Sequence, residues 1–181
     1  DTVAEIMTGK MLRYSEEVLL SLKLAACFGH EFDTKILDLL GTKNVDGPTM
    51  TDYLDVALAD GLLIKSQTST STVYRFSHDQ IQLAAYSLTT VDEQTALHLQ
   101  IARLLFSKIA PEEVDSVLFI ITDQFGRGLS LIGDRGEKTR VAELYLRAAE
   151  KALSFFAHTA AATFSAQGIS LLDNAHWRTD Y

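Results

Sequence analysis

The residues with the most chemistry in this chain lie together in Phe76-Ser-His-Asp-Gln80. Ser77 and Gln80 have the S-x-x-Q spacing of a capping box, so the spacing predicts a helix that starts directly after a strand. On that account Ser77 caps, Asp79 sits well at the positive end of the helix dipole, and His78 is incidental. The same residues also read as a site. A helix start presents N–H groups and partial positive charge, which suits a phosphate. His78 would add a neutral donor or a cation there, registering an anion delivered by another domain. Residue types and spacing leave both readings open.

Other constellations that could do chemistry are missing. There is no G-x-x-x-x-G-K-[ST], so the chain has no P-loop of its own. The glycines of Gly126-Arg-Gly128 follow an apparent helix rather than a strand, which speaks against a dinucleotide fingerprint. No G-x-S-x-G elbow occurs. The histidines at 30, 78, 98, 158 and 176 show no H-x-x-x-H spacing, and one cysteine supplies no zinc set. Glu16-Glu17 and Glu112-Glu113 stand at helix starts, where the dipole accounts for them. No catalytic residue and no metal ligand is therefore expected, and the fragment is expected not to be an enzyme.

The bulk properties agree with that expectation. The chain has 181 residues, 47% hydrophobic and 22% charged, with two prolines and a formal net charge of −8. Few prolines favour long helices. The acidic balance opposes nonspecific binding to nucleic acid and anionic membranes. Cys27 has no internal partner, which points to a reducing, cytoplasmic setting and a buried inert thiol. No apolar run approaches the roughly 20 residues that span a bilayer, and no signal peptide is visible. The chain begins at Asp1 rather than Met, and so reads as a piece of something longer.

The elements that must position His78 and Asp79 follow from apolar spacing and start signals. Thr2 and Glu5 make a capping box for a helix through Leu12. Ser15 opens a helix through Cys27, closed by Gly29. Asp33 caps a short helix that stops at Gly41. After a polar turn from Lys43 to Pro48, Thr49 and Asp52 open a helix ending at Gly61. Two strand-like runs follow, Leu62 to Gln67 and Thr72 to Phe76, with Thr68 to Ser71 as the hairpin tip. Short helices followed by a two-stranded hairpin is the order of a winged helix. A DNA-binding regulator is the first alternative this raises, but the helix that would enter the groove carries Asp52, Asp55 and Asp60 and no Lys or Arg. Lys65 and Arg75 in the wing compensate little, so nucleic acid is not an expected partner.

The remainder reads as helices over residues 78–89 and 93–109, then one from Pro111 that carries Val114, Val117, Ile121 and Phe125. Gly126, Gly128, Gly133 and Gly136 are expected to break the chain before helices at about 137–157 and 159–172. Their small residues, Ala142, Ala148, Ala149 and Ala152 against Ala161 and Gly168, suit close packing, and the pair has the length of one tetratricopeptide (TPR) unit, roughly 34 residues. The fold class expected is thus mainly α. A connecting helix (1–13) leads into a winged-helix-like subdomain with one small β-hairpin (14–90), then antiparallel TPR-like hairpins (91–181) in an array continuing past Tyr181. A passive helical interaction scaffold is the second alternative.

One further signal comes from likeness. The series Leu24-Ala-Ala-Cys-Phe-Gly29, Phe32-Asp33, Ala57-Leu-Ala-Asp-Gly-Leu-Leu63, Tyr74-Arg-Phe-Ser-His-Asp-Gln-Ile-Gln-Leu-Ala-Ala-Tyr86 and His98-Leu-Gln-Ile-Ala-Arg-Leu-Leu105 resembles a known module. It is similar to the region after the nucleotide-binding core of multidomain signalling ATPases of the STAND class, within the AAA-like superfamily, some fused to protein kinase, histidine kinase or cyclase domains. The resemblance implies a winged helix between an upstream ATPase domain and a helical sensor array that contacts other protein domains. It implies ATP or ADP for the parent protein and none held by the fragment alone. His78 and Asp79 resemble the MHD-type motif, with Ser77 in place of its methionine. By that resemblance His78 would touch the β-phosphate of ADP, with Asp79 as its supporting acid.

Overall fold

The computed structural model describes residues 3–41, 47–67 and 71–172. The capping box at Thr2, most of the turn after Gly41 and the hairpin tip at 68–70 lie outside the described residues. The described chain is mainly helical with a small three-stranded antiparallel sheet. Its packing divides into two units, Asp1–Leu97 and His98–Tyr181.

In unit 1, α1 (Val3–Met11) is followed by α2 (Glu16–Ala26), β1 (Glu31–Asp33), α3 (Thr34–Leu40), α4 (Met50–Ala59), β2 (Leu63–Gln67), β3 (Thr72–Phe76) and α5 (Asp79–Ser87). Three of the four starts predicted among its described residues hold. Ser15 and Asp33 accept from Val18 N and Lys35 N, and Thr49 with Asp52 forms a full capping box. The fourth, at Ser77, does not, because His78 caps there instead. The expected hairpin is one strand short. Glu31–Asp33 pairs antiparallel with β3, placing β3 at the centre of the order β1-β3-β2. A three-residue strand has too little alternation to register in sequence; its pairing with Val73 to Arg75 creates it.

Alternation along β3 sends Tyr74 and Phe76 inward and Arg75 outward. Phe32 stacks on Tyr74 at 6.1 Å and meets Phe76 edge-on at 5.8 Å. Burying rings of this size stabilises by about 1.5–3 kcal/mol each, which fixes the sheet register over a core of Leu22, Leu37, Leu54 and Leu62. α4 ends in a Schellman motif. Gly61, at φ +75°, donates to Leu58 O, and Leu62 donates to Ala57 O. α1, expected as a connecting helix, packs along α5.

The division between units falls within α6 (Val91–Lys108), which opens on a capping box of Thr90 and Glu93 that sequence reading missed. Unit 2 continues with α7 (Val114–Gly128), a 3-10 turn at Leu129–Leu131, α8 (Arg135–Ser154) and α9 (His158–Leu171). Two expectations are corrected here. Pro111 lies in a turn and α7 begins three residues later. Gly126 and Gly128 do not break the chain; they are the last turn of α7. The reason is contact. A Cβ on Gly128 would lie 2.7 Å from Leu99 Cβ, and one on Gly126 would lie 3.0 Å from Gln167 Nε2.

α8 and α9 form an antiparallel pair. Ala149 and Ala152 meet Ala161 near the turn, and Gly168 approaches Tyr145 and Ala142 further along. α8 stops earlier than its apolar pattern predicts, in a second Schellman motif. Phe156 at φ +58° donates to Leu153 O, and Ala157 donates to Ala152 O. With Phe where glycine is usual, no stop signal shows in the sequence.

Candidate functional site

Phe76 to Asp79 joins three elements of unit 1. Phe76 N–H donates to His30 O (2.9 Å) at the entry to β1, and Ser77 N–H donates to Leu62 O (3.0 Å). The Ser77 hydroxyl lies 2.8 Å from Gly61 O and 3.2 Å from Leu62 O. Ser77 therefore closes the turn between α4 and β2 and does not cap α5, correcting the capping-box assignment. The cap is His78. Its backbone is extended (φ −155°, ψ 146°), and its Nδ1 accepts from Gln80 N–H at 3.1 Å. The distance from the sheet explains the exchange. The Ser77 hydroxyl is tied to the glycine turn, while the next residue has the extended geometry a cap requires.

This fixes the chemistry His78 can offer. A ring whose Nδ1 accepts carries its proton on Nε2, so the exposed edge of the imidazole is a donor. An imidazolium would place a hydrogen on Nδ1 and lose the cap, so the capped form is the neutral one. The expected row of open N–H groups is mostly used internally: Gln80 by His78 Nδ1, and Ile81 by His78 O at 2.9 Å. Among the described residues, His78 Nε2 and the Asp79 N–H remain for an incoming acceptor.

Asp79 is the first residue of α5, and its carboxylate pairs with His30 Nδ1 at 2.9 Å. The supporting acid is thus turned to a second histidine that sequence reasoning did not select. Nothing local in the sequence links residues 30 and 79; the pairing of β1 with β3 brings them together. Gln82 Nε2 donates to Ala26 O (2.9 Å), fastening α5 to the end of α2. Cys27 is buried and its thiol donates to Lys23 O, an inert structural role.

The two aspartates of α4, and Asp60 at its C-cap, are engaged within unit 1. Asp52 is held by Thr49, and its bonds with the Thr49 N–H and hydroxyl lower its pKa. Asp55 accepts from the Tyr74 hydroxyl and pairs with Lys65 at 3.2 Å. Asp60 accepts from the Tyr14 hydroxyl at 2.5 Å and from Lys10. Burial, with Asp60 beside it, pushes the Tyr14 phenol well above its ordinary pKa. Lys65, the cation expected to face DNA in the wing, is therefore already partnered. Among the described residues no group of three or more His, Cys, Asp or Glu is placed to hold a metal ion.

In unit 2 a further histidine lies in the interior. His98 Nδ1 lies 2.7 Å from Gln124 Oε1, and burial lowers its pKa against the opposing pull of that bond. Tyr145 donates to Thr122 O at 2.9 Å, and burial raises its pKa.

No family model and no solved structure matches this chain. A curated relative does. Hybrid signal transduction histidine kinase G of Dictyostelium discoideum is 23% identical over 202 aligned residues, covering 85% of this chain. The chain spans about 6% of that relative's length. No helix among the described residues is long and apolar enough to cross a membrane.

Proposed function

We propose that this chain is a non-catalytic regulatory segment of a multidomain signalling ATPase of the STAND type. It would couple the nucleotide state of an upstream P-loop domain to a helical array. The observation that carries the proposal is His78, an exposed residue at a helix start whose Nδ1 accepts from Gln80 N–H, which leaves Nε2 to donate. That is a preorganised contact for a phosphate oxygen. The order α2-β1-α3-α4-β2-β3 supports a winged helix at this point, the short β1 included. The signalling histidine kinase relative, matched over a small part of its length, supports a place inside a large signalling protein.

In this reading ADP in the neighbouring domain accepts from His78 Nε2 and holds unit 1 in the resting position. Exchange to ATP removes that contact and frees the array. The switch works only through the difference in contact between the two states. The Asp79–His30 pair links the first turn of α5 to the residue just before β1. A DNA-binding role is disfavoured because α4 has no cation and Lys65 is spent on Asp55.

The test must separate the cap from the contact. In the full-length protein, His78→Asn keeps a cap acceptor while removing the reach of the imidazole. A hydrogen bond to a charged phosphate contributes about 1.5–3 kcal/mol, so ADP should dissociate roughly 10- to 100-fold faster, with raised basal signalling. An unchanged ADP off-rate and unchanged basal output would sink the proposal in favour of a passive scaffold.

A further inference from the structure

Two side chains at the start of α5 can take the same N–H. Here the Gln80 N–H donates to His78 Nδ1 at 3.1 Å, which makes His78 the cap. A second cap stands one residue earlier. Ser77 and Gln80 keep the S-x-x-Q spacing of a capping box, in which the Ser77 hydroxyl accepts that same Gln80 N–H. The box is completed by the Gln80 side chain accepting from the Ser77 N–H. That side chain is exposed and makes no hydrogen bond among the described residues. The two caps exclude each other. A helix capped by Ser77 needs His78 in helical backbone, whereas His78 is extended here, at φ −155° and ψ 146°.

What tips the balance lies outside the helix. The Ser77 hydroxyl is 2.8 Å from Gly61 O and 3.2 Å from Leu62 O, and the Ser77 N–H donates to Leu62 O at 3.0 Å. The turn between α4 and β2 therefore holds both Ser77 groups that the box would use. Asp60, next to Gly61, accepts from the Tyr14 hydroxyl at 2.5 Å and, on its carbonyl, from Lys10 Nζ at 2.8 Å. Each capped state exchanges exposed hydrogen bonds for others of the same kind, and serine ranks among the best caps, so the two states lie close in free energy. We infer that the start of α5 is a two-position cap, and that moving the cap from His78 to Ser77 releases the phosphate contact. The inference rests on the His78 reading above and adds its switch. With Ser77 as cap, α5 begins at His78, whose Nδ1 no longer holds the Gln80 N–H. The ring loses the bond that fixed it, and the Nε2 donor is no longer held for the phosphate. Two discrete arrangements of one element are what a difference between ADP and ATP needs to act on.

The test uses the full-length protein and the release of a fluorescent ADP analogue. Gln80→Ala keeps the N–H that His78 uses and removes only the second bond of the box. With ADP leaving through the Ser77-capped state, this variant should release it roughly two- to fivefold more slowly. His78→Asn should act in the opposite direction, and Ser77→Thr, which keeps the hydroxyl, should match the native protein. Ser77→Asp supplies a strong cap that cannot donate to Gly61 O. Without nucleotide, nitrogen-15 NMR of the histidine-labelled variant should show His78 Nδ1 losing its hydrogen bond, a change that charge repulsion of ADP does not produce. Faster release in His78→Asn beside unchanged or faster release in Gln80→Ala would overturn the cap exchange and leave the phosphate contact standing. Unchanged release in both would sink the phosphate contact and the exchange with it. A His78 Nδ1 still bonded in Ser77→Asp would also overturn the exchange.

Discussion

Replacing His78 by alanine removes the side-chain acceptor that caps α5, and its cost follows from the structure. The Gln80 N–H loses a partner at 3.1 Å, and no other group among the described residues replaces it. Loss of an N-cap acceptor costs about 0.5–2 kcal/mol. His78 is exposed, so water takes up part of the loss, and the lower half of that range, about 0.5–1 kcal/mol, is expected. For a unit of this size that is a fall in Tm of roughly 2–8 °C. His78→Asn offers an oxygen at a similar place and should recover most of it. Asp79→Ala makes the contrast. Its pair with His30 is largely exposed, at 43% and 79%, so its loss should cost well under about 1 kcal/mol. Thermal unfolding followed by circular dichroism, with urea titration for the free energies, measures all three. A full-strength His78→Ala protein beside a weakened His78→Asn protein would refute the cap, and with it the neutral tautomer on which the phosphate contact depends.

Gly128→Ala tests the close approach of α6 and α7. The added Cβ meets Leu99 Cβ, Cα and N at 2.7–2.9 Å, and backbone cannot swing aside. Overpacking of about 1–3 kcal/mol should exceed the gain of up to about 1 kcal/mol in helix propensity, lowering the urea midpoint. Gly133→Ala, in open space, should leave it unchanged. The two Schellman motifs predict opposite signs. Gly61→Ala at φ +75° should cost about 1–2 kcal/mol, while Phe156→Gly at φ +58° should add up to about 1 kcal/mol, both read from denaturation curves. His98 predicts a pH dependence. Burial lowers its folded pKa, so the unfolded state binds more protons below about pH 6.5. Stability of unit 2 should therefore fall as pH drops through that value toward the folded pKa, and His98→Gln should flatten the profile.

Local information was strong wherever a short-range bond set the structure. Ser15, Asp33 and the Thr49–Asp52 box could be read from the sequence because a cap depends on residues within one turn. The alternation of Tyr74 and Phe76 likewise gave the strand, and the glycine after Asp60 gave the end of α4. Around His78 the same logic chose the wrong cap. Ser77 has the better intrinsic propensity, but its hydroxyl is drawn to Gly61 O, a group on a turn that only the sheet places there.

What the sequence determined by itself is the helical class, most element starts, the lack of a P-loop in this chain and the placing of His78 and Asp79 at one helix start. Tertiary packing decided which of Ser77 and His78 caps. It made β1, paired Asp79 with His30, and turned two apparent helix-breaking glycines into contact points for Leu99 and Gln167. The division has one physical cause. Caps and alternation act over a few residues, whereas pairing and close approach act between segments that only the folded chain brings together.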